Sequence, residues 1–282
     1  MPIRLGAVSY LNARPLVYGL DRRSDRFSVR FDVPSKCATL LHEHQIDLGL
    51  IPSIEYLHGP DYRIVPGVAI ASDGPVASVA LFTTSPAAAI RSIALDSSSR
   101  TSVALLRILC AERFDIEPTL VTMEPDLPSM LKHSDAALLI GDAALFADHE
   151  RLGLEKIDLG AEWKTLTRLP FVWAFWAGRS GVVAPEDTSA LVEARDAGVK
   201  NAEEVSRRYF AANPGAAGSG AERARRERRG AEYLRENVTY DLGGRERAGL
   251  QTFYNFAAEL GIVTTQVPVR FYAATNPLRP LR

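Results

Sequence analysis

From residue 3 to residue 51, short apolar runs alternate with segments of helical spacing, and this alternation restricts the chain's fold more than any other feature. IRLGAVSY (3–10) reads as a strand, and Pro15 is placed to open a helix through PLVYGL. FSVRFDV (27–33) alternates with period two, which puts Phe27, Val29, Phe31 and Val33 on one face. Ser35 then precedes KCATLLHEHQ, where Cys37, Leu40, Leu41 and His44 recur at helical spacing. IDLGLI (46–51) reads as a buried strand ended by Pro52. Strands joined through helices run parallel and need helices on their faces, so the sequence predicts an α/β fold.

The middle of the chain repeats the theme. YRIVPGVAIAS and SVALFTTS read as strands around Gly74-Pro75, and IRSIALD (90–96) as another. SSSRTSVALLRILCAERF (97–114) predicts a helix whose buried stripe is Val103, Leu106, Leu109, Cys110 and Phe114. VTME, a short helix in PDLPSMLKHS and the strand DAALLIGD (135–142) follow. FVWAFWAGR (171–179) is an aromatic strand suited to a return crossing. Two β/α groups predict two lobes, residues 1–84 with 175–282, and residues 85–174, with crossings near Leu81–Ser85 and Leu169–Phe175. Residues 188–210 and 221–237 have helical, charged patterns with a loop at ANPGAAGSG (212–220) between them, and Leu250, Phe253, Tyr254, Ala257 and Leu260 share one side of a last helix.

Several function classes are excluded. Lys and Arg total 33 against 34 Asp and Glu, a net charge of −1, which does not suit a chain built around nucleic-acid backbone. ERARRERRG (222–230) is locally basic without interleaved aromatics and reads as a solvated helix face. No run approaches the ~18 apolar residues of a membrane span. Asn12, Arg14 and Pro15 interrupt the N-terminal apolar run before a signal core forms, so a cytoplasmic location is expected. Cys37 and Cys110 read as free buried thiols. Walker, dinucleotide-binding and nucleophile-elbow motifs are absent. His42, His44, His58, His133 and His149 form no HExxH arrangement, and His42 and His44 do not share a helix face, so neither a metal nor a cofactor is expected.

What remains is small polar residues at strand ends: Ser9, Tyr10 and Asn12; Ser53; Ser72, Asp73 and Ser78; Ser97, Ser98, Ser99, Arg100 and Thr101; Gly141 and Asp142. Ligands of parallel sheets collect outside the carboxyl ends of strands. At SSSRT a helix start adds free N–H groups beside a guanidinium, a seat for a carboxylate or phosphate. Simple capping of the helix by the serines is the alternative. Two such clusters, one per lobe, point to a small anion held in a closing cleft.

The segments VSYLNARPLVYGL, DLGLIPSIEYL, PGVAIASDGPVASVALF, ALDSSSRTSVALLRILC, DAALLIGDAAL, DLGAEWKTLTRLPFVWAFWAGR and YLRENVTYDL, in this order, resemble the chorismate dehydratase family of the futalosine route to menaquinone. The likeness runs from residue 3 to about residue 262 and is weakest at 212–230. It implies a two-lobed fold similar to type II periplasmic binding proteins. It also implies a cofactor-free hydro-lyase that converts chorismate, a small dicarboxylate, to 3-[(1-carboxyvinyl)oxy]benzoate, with neither nucleic acid nor membrane as partner. On this resemblance Ser9, Asn12, Ser53, Ser78, Arg100, Thr101 and Asp142 are the positions of interest, with Ser98 and Gly141 beside them. Ser9, Asn12 and Asp142 are expected in catalysis and the others in substrate binding. The proton acceptor stays open between Asp142 and the substrate's own enolpyruvyl carboxylate. A sister family, the 1,4-dihydroxy-6-naphthoate synthases, and a non-catalytic small-anion binding protein are the alternatives.

Overall fold

A computed structural model describes residues 1–59, 61–264 and 267–274. Along the chain, β1 (Ile3–Val8) and β2 (Phe27–Asp32) lead to α1 (Pro34–His42), β3 (Leu48–Pro52) and β4 (Tyr62–Ser72). Then come β5 (Val79–Thr83), β6 (Ser92–Asp96), α2 (Thr101–Leu109), β7 (Thr119–Met123), α3 (Leu127–His133), β8 (Ala136–Ile140), α4 (Gly141–Leu145), β9 (Glu155–Asp158) and α5 (Leu159–Thr167). β10 (Phe171–Arg179) precedes α6 (Pro185–Lys200), α7 (Ala202–Ala212), α8 (Pro214–Ala217), α9 (Gly220–Glu236) and α10 (Gly244–Glu259).

The strands form two sheets, in the orders β2-β1-β3-β10-β4 and β7-β6-β8-β5-β9. β1 is parallel to β2 and β3, and β6 to β7 and β8, as helical connections require. Each sheet also takes in a strand that returns antiparallel, β10 in the first and β5 in the second. The result is a two-lobed α/β molecule.

Sheet membership moves the lobe crossings from where the sequence suggested. β5 pairs with β8 and β9, so Val79–Thr83 belongs to the second sheet and the first crossing falls at residues 73–78, upstream of Leu81–Ser85. β4 and β5 are both apolar runs, and a buried strand does not reveal its sheet by composition. The turn itself carries the signal: Gly74 at φ 129° and Ala77 at φ 62° break the extended chain there. The return crossing is residues 168–170, with Arg168 at φ 63°, and all of β10 lies in the first sheet. Residues 171–174 therefore leave the second lobe to which the sequence had assigned them.

Local differences have local causes. α1 ends at His42, and His44, at φ 61°, lies beyond it. The expected helix 97–114 starts only at Thr101 and closes in a π-turn at Cys110–Phe114. Ser97–Ser99 form the preceding turn. β2 is an edge strand, so Phe31 and Val33 stay exposed although they continue the period-two pattern. The basic run on α9 is a helix surface with Arg223–Glu227 and Arg226–Glu222 pairs one turn apart. Cys37 and Cys110 are free and buried. Among the described residues no helix is long and apolar enough to cross a membrane.

The core behind the first sheet is aromatic. Trp163 of α5 meets Phe171 of β10 edge-on at 5.1 Å, and Phe171 meets Phe253 of α10 at 5.0 Å. This packing fixes the return crossing from both sides. At the outer edge of β4, the Ile64 N–H donates to the Arg270 carbonyl at 2.9 Å and the Tyr272 N–H donates to the Ile64 carbonyl at 2.9 Å. The C-terminal segment thus covers part of an edge that would otherwise present unpaired backbone.

Candidate active site

The carboxyl ends of β1, β3 and β8 and the N-terminus of α2 converge between the lobes on a cavity of about 530 Å³, counted out to its mouth. Asn12, Ser78, Ser99, Arg100, Thr101 and Gly141 supply its polar wall, and Trp173 and Ile70 part of its apolar one. Arg100 is the one cation among the described lining residues, and no carboxylate, imidazole or thiol lines the cavity among them.

The α2 end is built to receive an anion. No side chain caps the helix, so its first N–H groups keep their hydrogen-bonding capacity. Thr101 Oγ1 accepts from the Ile54 N–H at 3.2 Å and lies 3.4 Å from Ser53 Oγ, which donates to the Val172 carbonyl at 2.8 Å. Ser53 is fully buried and does not line the cavity; it ties the start of α2 to β10. Arg100, half exposed at the rim, is drawn by Glu55, whose Oε1 lies 3.9 Å from its guanidinium.

Two lining atoms are left without partners. Asn12 Oδ1 and Ser99 Oγ are buried and make no hydrogen bond in the protein. Such orphans are rare in native structures and mark places where a ligand or water completes the pairing. Ser78 Oγ lies 2.7 Å from the Tyr233 hydroxyl, and the Asn12 carbonyl accepts from the Tyr240 hydroxyl at 2.9 Å. Helices α9 and the 237–243 segment thus brace the cavity wall.

Tyr10 also lines the cavity, whereas Ser9, Ser98 and Asp142 lie beside it. Ser98 turns inward: its N–H and Oγ donate to Asp96 Oδ1 at 2.9 and 2.6 Å, and Ser99 takes the cavity position instead. Burial raises the Asp96 carboxyl above its ordinary value, against the bonds from Ser98 and Ile140. Ser98 Oγ also meets the Tyr10 hydroxyl at 2.9 Å, across the lobes. Burial pushes the Tyr10 phenol up to about 12, so it stays protonated at neutral pH. Both backbone groups of Ser9 are engaged, the N–H with the Asp32 carbonyl at 2.9 Å and the carbonyl with Arg14 at 2.8 Å, and Ser9 does not line the cavity. Asp142 accepts from the Leu11 N–H at 3.2 Å and from the Tyr209 hydroxyl, and it too is absent from the lining. Burial raises its carboxyl above the ordinary Asp value, opposed chiefly by the Tyr209 bond.

Gly141 is demanded by its place. It sits at φ 59°, and a Cβ there would stand 2.5 Å from the Tyr10 ring. The ring closes over the β8–α4 turn because nothing projects from it.

Sequence reasoning passed over Trp173, Tyr209, Tyr233 and Glu55. Tyr209 and Tyr233 sit in charged helices where one aromatic looks like ordinary amphipathic filling. Glu55 was detectable as an acidic residue two positions after Ser53, in a buried segment. The expectation of no metal seat rested on His42 and His44 facing apart. The fold instead brings His42 to Glu55 and His58, outside the cavity.

Among solved structures, the fold is similar to that of an Archaeoglobus fulgidus protein at a TM-score of 0.74 and 18% identity, covering 93% of this chain and 98% of that one. The periplasmic aliphatic sulphonate binding protein of Escherichia coli matches at a TM-score of 0.61 and 18% identity, over 94% of each chain. These place the two-lobed architecture with the periplasmic-binding-protein fold. The model of a family described as "Menaquinone biosynthesis" matches residues 3–259. The chain belongs to the menaquinone biosynthesis family. A curated relative, the chorismate dehydratase of Thermus thermophilus, is 35% identical over 222 residues, which is 73% of this chain and 80% of the relative. The menaquinone biosynthesis family match spans both sheets and every lining residue named above.

Proposed function

We propose that the protein is a chorismate dehydratase, a carbon–oxygen lyase of menaquinone biosynthesis. The observation that carries this reading is the match to the Thermus thermophilus chorismate dehydratase over most of both chains. The cavity supports it. Chorismate carries two carboxylates, and the cavity offers one guanidinium and one uncapped helix start, Arg100 and α2.

The reaction removes the ring hydrogen on the carbon bearing the enolpyruvyl ether and the hydroxyl on the neighbouring carbon. The C–H electron pair becomes the ring double bond and the C–O bond breaks. The hydroxyl leaves as water with one proton, and the ring becomes aromatic. Aromatisation supplies the driving force, so positioning is the protein's main task. Arg100 and the α2 amides hold the carboxylates. Asn12 Oδ1 and Ser99 Oγ, unpaired in the protein, accept and donate to the substrate's polar groups, and Ser78, held by Tyr233, lies on the same wall.

The lining favours one of the two proton acceptors. Asp142 is engaged by Leu11 and Tyr209 outside the cavity, whereas the substrate's enolpyruvyl carboxylate is carried into it. In this reading the substrate takes its own proton, Asp142 serves lobe closure, and Ser9 holds the end of β1 through Asp32 and Arg14. The free buried thiols Cys37 and Cys110 support a cytoplasmic setting.

The test is incubation of the purified protein with chorismate alone, followed by mass spectrometry and ultraviolet spectra. A product lighter by one water with a benzoate chromophore is expected. Unchanged chorismate under conditions where the protein binds it would leave an anion-binding protein as the better account.

A further inference from the structure

Behind Arg100, on the far side of Glu55 from the cavity, two histidines and this carboxylate converge. His42 is the last residue of α1, and Glu55 and His58 lie one turn apart in the short helical segment Ser53–His58. His42 Nε2 stands 2.9 Å from Glu55 Oε2, and His58 Nδ1 stands 3.4 Å from the same oxygen. The three donor atoms all lie within 4.8 Å of one another.

We propose that His42, Glu55 and His58 form a seat for a divalent transition ion of the zinc type. Donor atoms about 2.0–2.1 Å from a tetrahedral ion are separated by ~3.3 Å, so both measured separations are near those of a loaded site. The ligand types, two imidazoles and one carboxylate, suit Zn²⁺ and its neighbours rather than Mg²⁺ or Ca²⁺. The outer shell is in place as well. The other ring nitrogen of His42, Nδ1, is 2.8 Å from the Tyr62 hydroxyl, and the two rings stack at 5.7 Å. A fixed second nitrogen orients the imidazole and selects which nitrogen faces the ion.

Glu55 gives an independent reason. Its side chain is only 8% exposed, yet among the described residues its hydrogen-bond partners are the two imidazoles alone. No backbone amide or hydroxyl donates to it there, and Arg100 stays 3.9 Å away. A buried carboxylate held this way gains from a cation between it and the rings. His58, with 58% of its side chain exposed, leaves the approach open to solvent. Three protein ligands leave a fourth position for water.

The seat is outside the catalytic wall, and its influence passes through Arg100. A dication on Glu55 Oε2 offsets the carboxylate charge that faces Arg100 at 3.9 Å. The guanidinium is then freer to meet an anion in the cleft.

The experiment uses the full chain, stripped with chelator and dialysed. Zn²⁺ is titrated by calorimetry, and Co²⁺ by its visible absorption, which is intense only in a low-coordinate site. One ion per chain and a tetrahedral-type Co²⁺ spectrum are expected, with Zn²⁺ raising the melting temperature of the wild type. His58→Ala and His42→Gln should each weaken Zn²⁺ binding by at least about 10- to 100-fold. His133→Ala, remote from the seat, should leave it unchanged. Circular dichroism checks that each variant is folded, and exposed His58 makes its variant the safer of the two. Equal Zn²⁺ affinity in wild type and His58→Ala, or an octahedral-type Co²⁺ spectrum in the wild type, would overturn the proposal.

Discussion

The Tyr209 hydroxyl, on α7 of the first lobe, donates to Asp142 Oδ2 at the start of α4 in the second. The Leu11 N–H reaches the other carboxylate oxygen, Oδ1, at 3.2 Å, so one aspartate is held by two elements of the opposite lobe. With the Tyr10–Ser98 contact at 2.9 Å, the lobes are joined on both sides of Gly141. The cavity described here is therefore that of a closed molecule, and Asp142 is the latch that keeps it so.

Breaking the latch should impair substrate retention rather than the chemical step. Tyr209→Phe removes one donor from a charged acceptor, a loss of about 1–3 kcal/mol. KM for chorismate should rise about 10- to 100-fold while kcat changes less, and small-angle scattering should record a larger radius of gyration. A fall in kcat at constant KM would instead place Tyr209 or Asp142 in the reaction.

Asp142 also makes stability depend on pH. Its carboxyl is raised above the ordinary Asp value by burial, so the folded protein binds that proton more tightly than the unfolded chain does. The stabilisation from this group is complete below the ordinary Asp value and is lost as pH rises through the folded value. Asp142→Asn has no such proton. The difference in melting temperature should therefore shift in favour of the wild type on acidification from neutral pH, and a gap that moves the other way would contradict the raised carboxyl.

Arg100 should not tolerate Lys. If its planar fork grips a substrate carboxylate, Arg100→Lys and Arg100→Ala both lose about 10- to 1,000-fold in kcat/KM, or about 1.4–4 kcal/mol. The residue is half exposed and 3.9 Å from Glu55, so neither change should move the melting temperature much. Near-normal kinetics with lowered stability would make Arg100 a structural ion-pair residue.

At Asn12 the sign of the change matters more than its size. Asn12→Ala removes an orphaned oxygen and should fold normally. Asn12→Asp loses the amide donor and sets a like charge near a carboxylate, and should bind chorismate at least about 10-fold more weakly than Asn12→Ala. Chorismate binding by Asn12→Asp equal to that of the wild type would exclude the proposed contact.

Gly141→Ala tests the turn under Tyr10. The backbone at φ 59° and the ring at 2.5 Å both oppose a Cβ, so a loss of about 1–3 kcal/mol is expected. A melting curve matching the wild type would show that the turn relaxes freely.

The strands and helices that organise the site were legible because each has its own period. β1, β3, α2 and β8 follow from apolar spacing and punctuation, and they deliver Asn12, Thr101 and Gly141 to the cavity. Less legible was which sheet an apolar strand joins, since β4 and β5 look alike until their partners are known. Spacing also does not decide which serine of 97–99 turns inward: Ser98 does, because Asp96 waits there for two donors. The lobe latch and the His42–Glu55–His58 cluster unite residues far apart in the chain, between 13 and 131 positions for the pairs His42–Glu55 and Leu11–Asp142. No single stretch of sequence contains such a contact.

The strip formed by residues 270–272 along β4 has a bearing on how the protein behaves in solution. Ile64 gives both its N–H and its carbonyl to that strip. A chain shortened after residue 264 would keep the cavity, the latch and both sheets, yet bare a stretch of strand edge able to pair with a neighbour's. Such a truncation should remain folded and become prone to self-association, so that loss of soluble protein on storage precedes any loss of structure within each molecule.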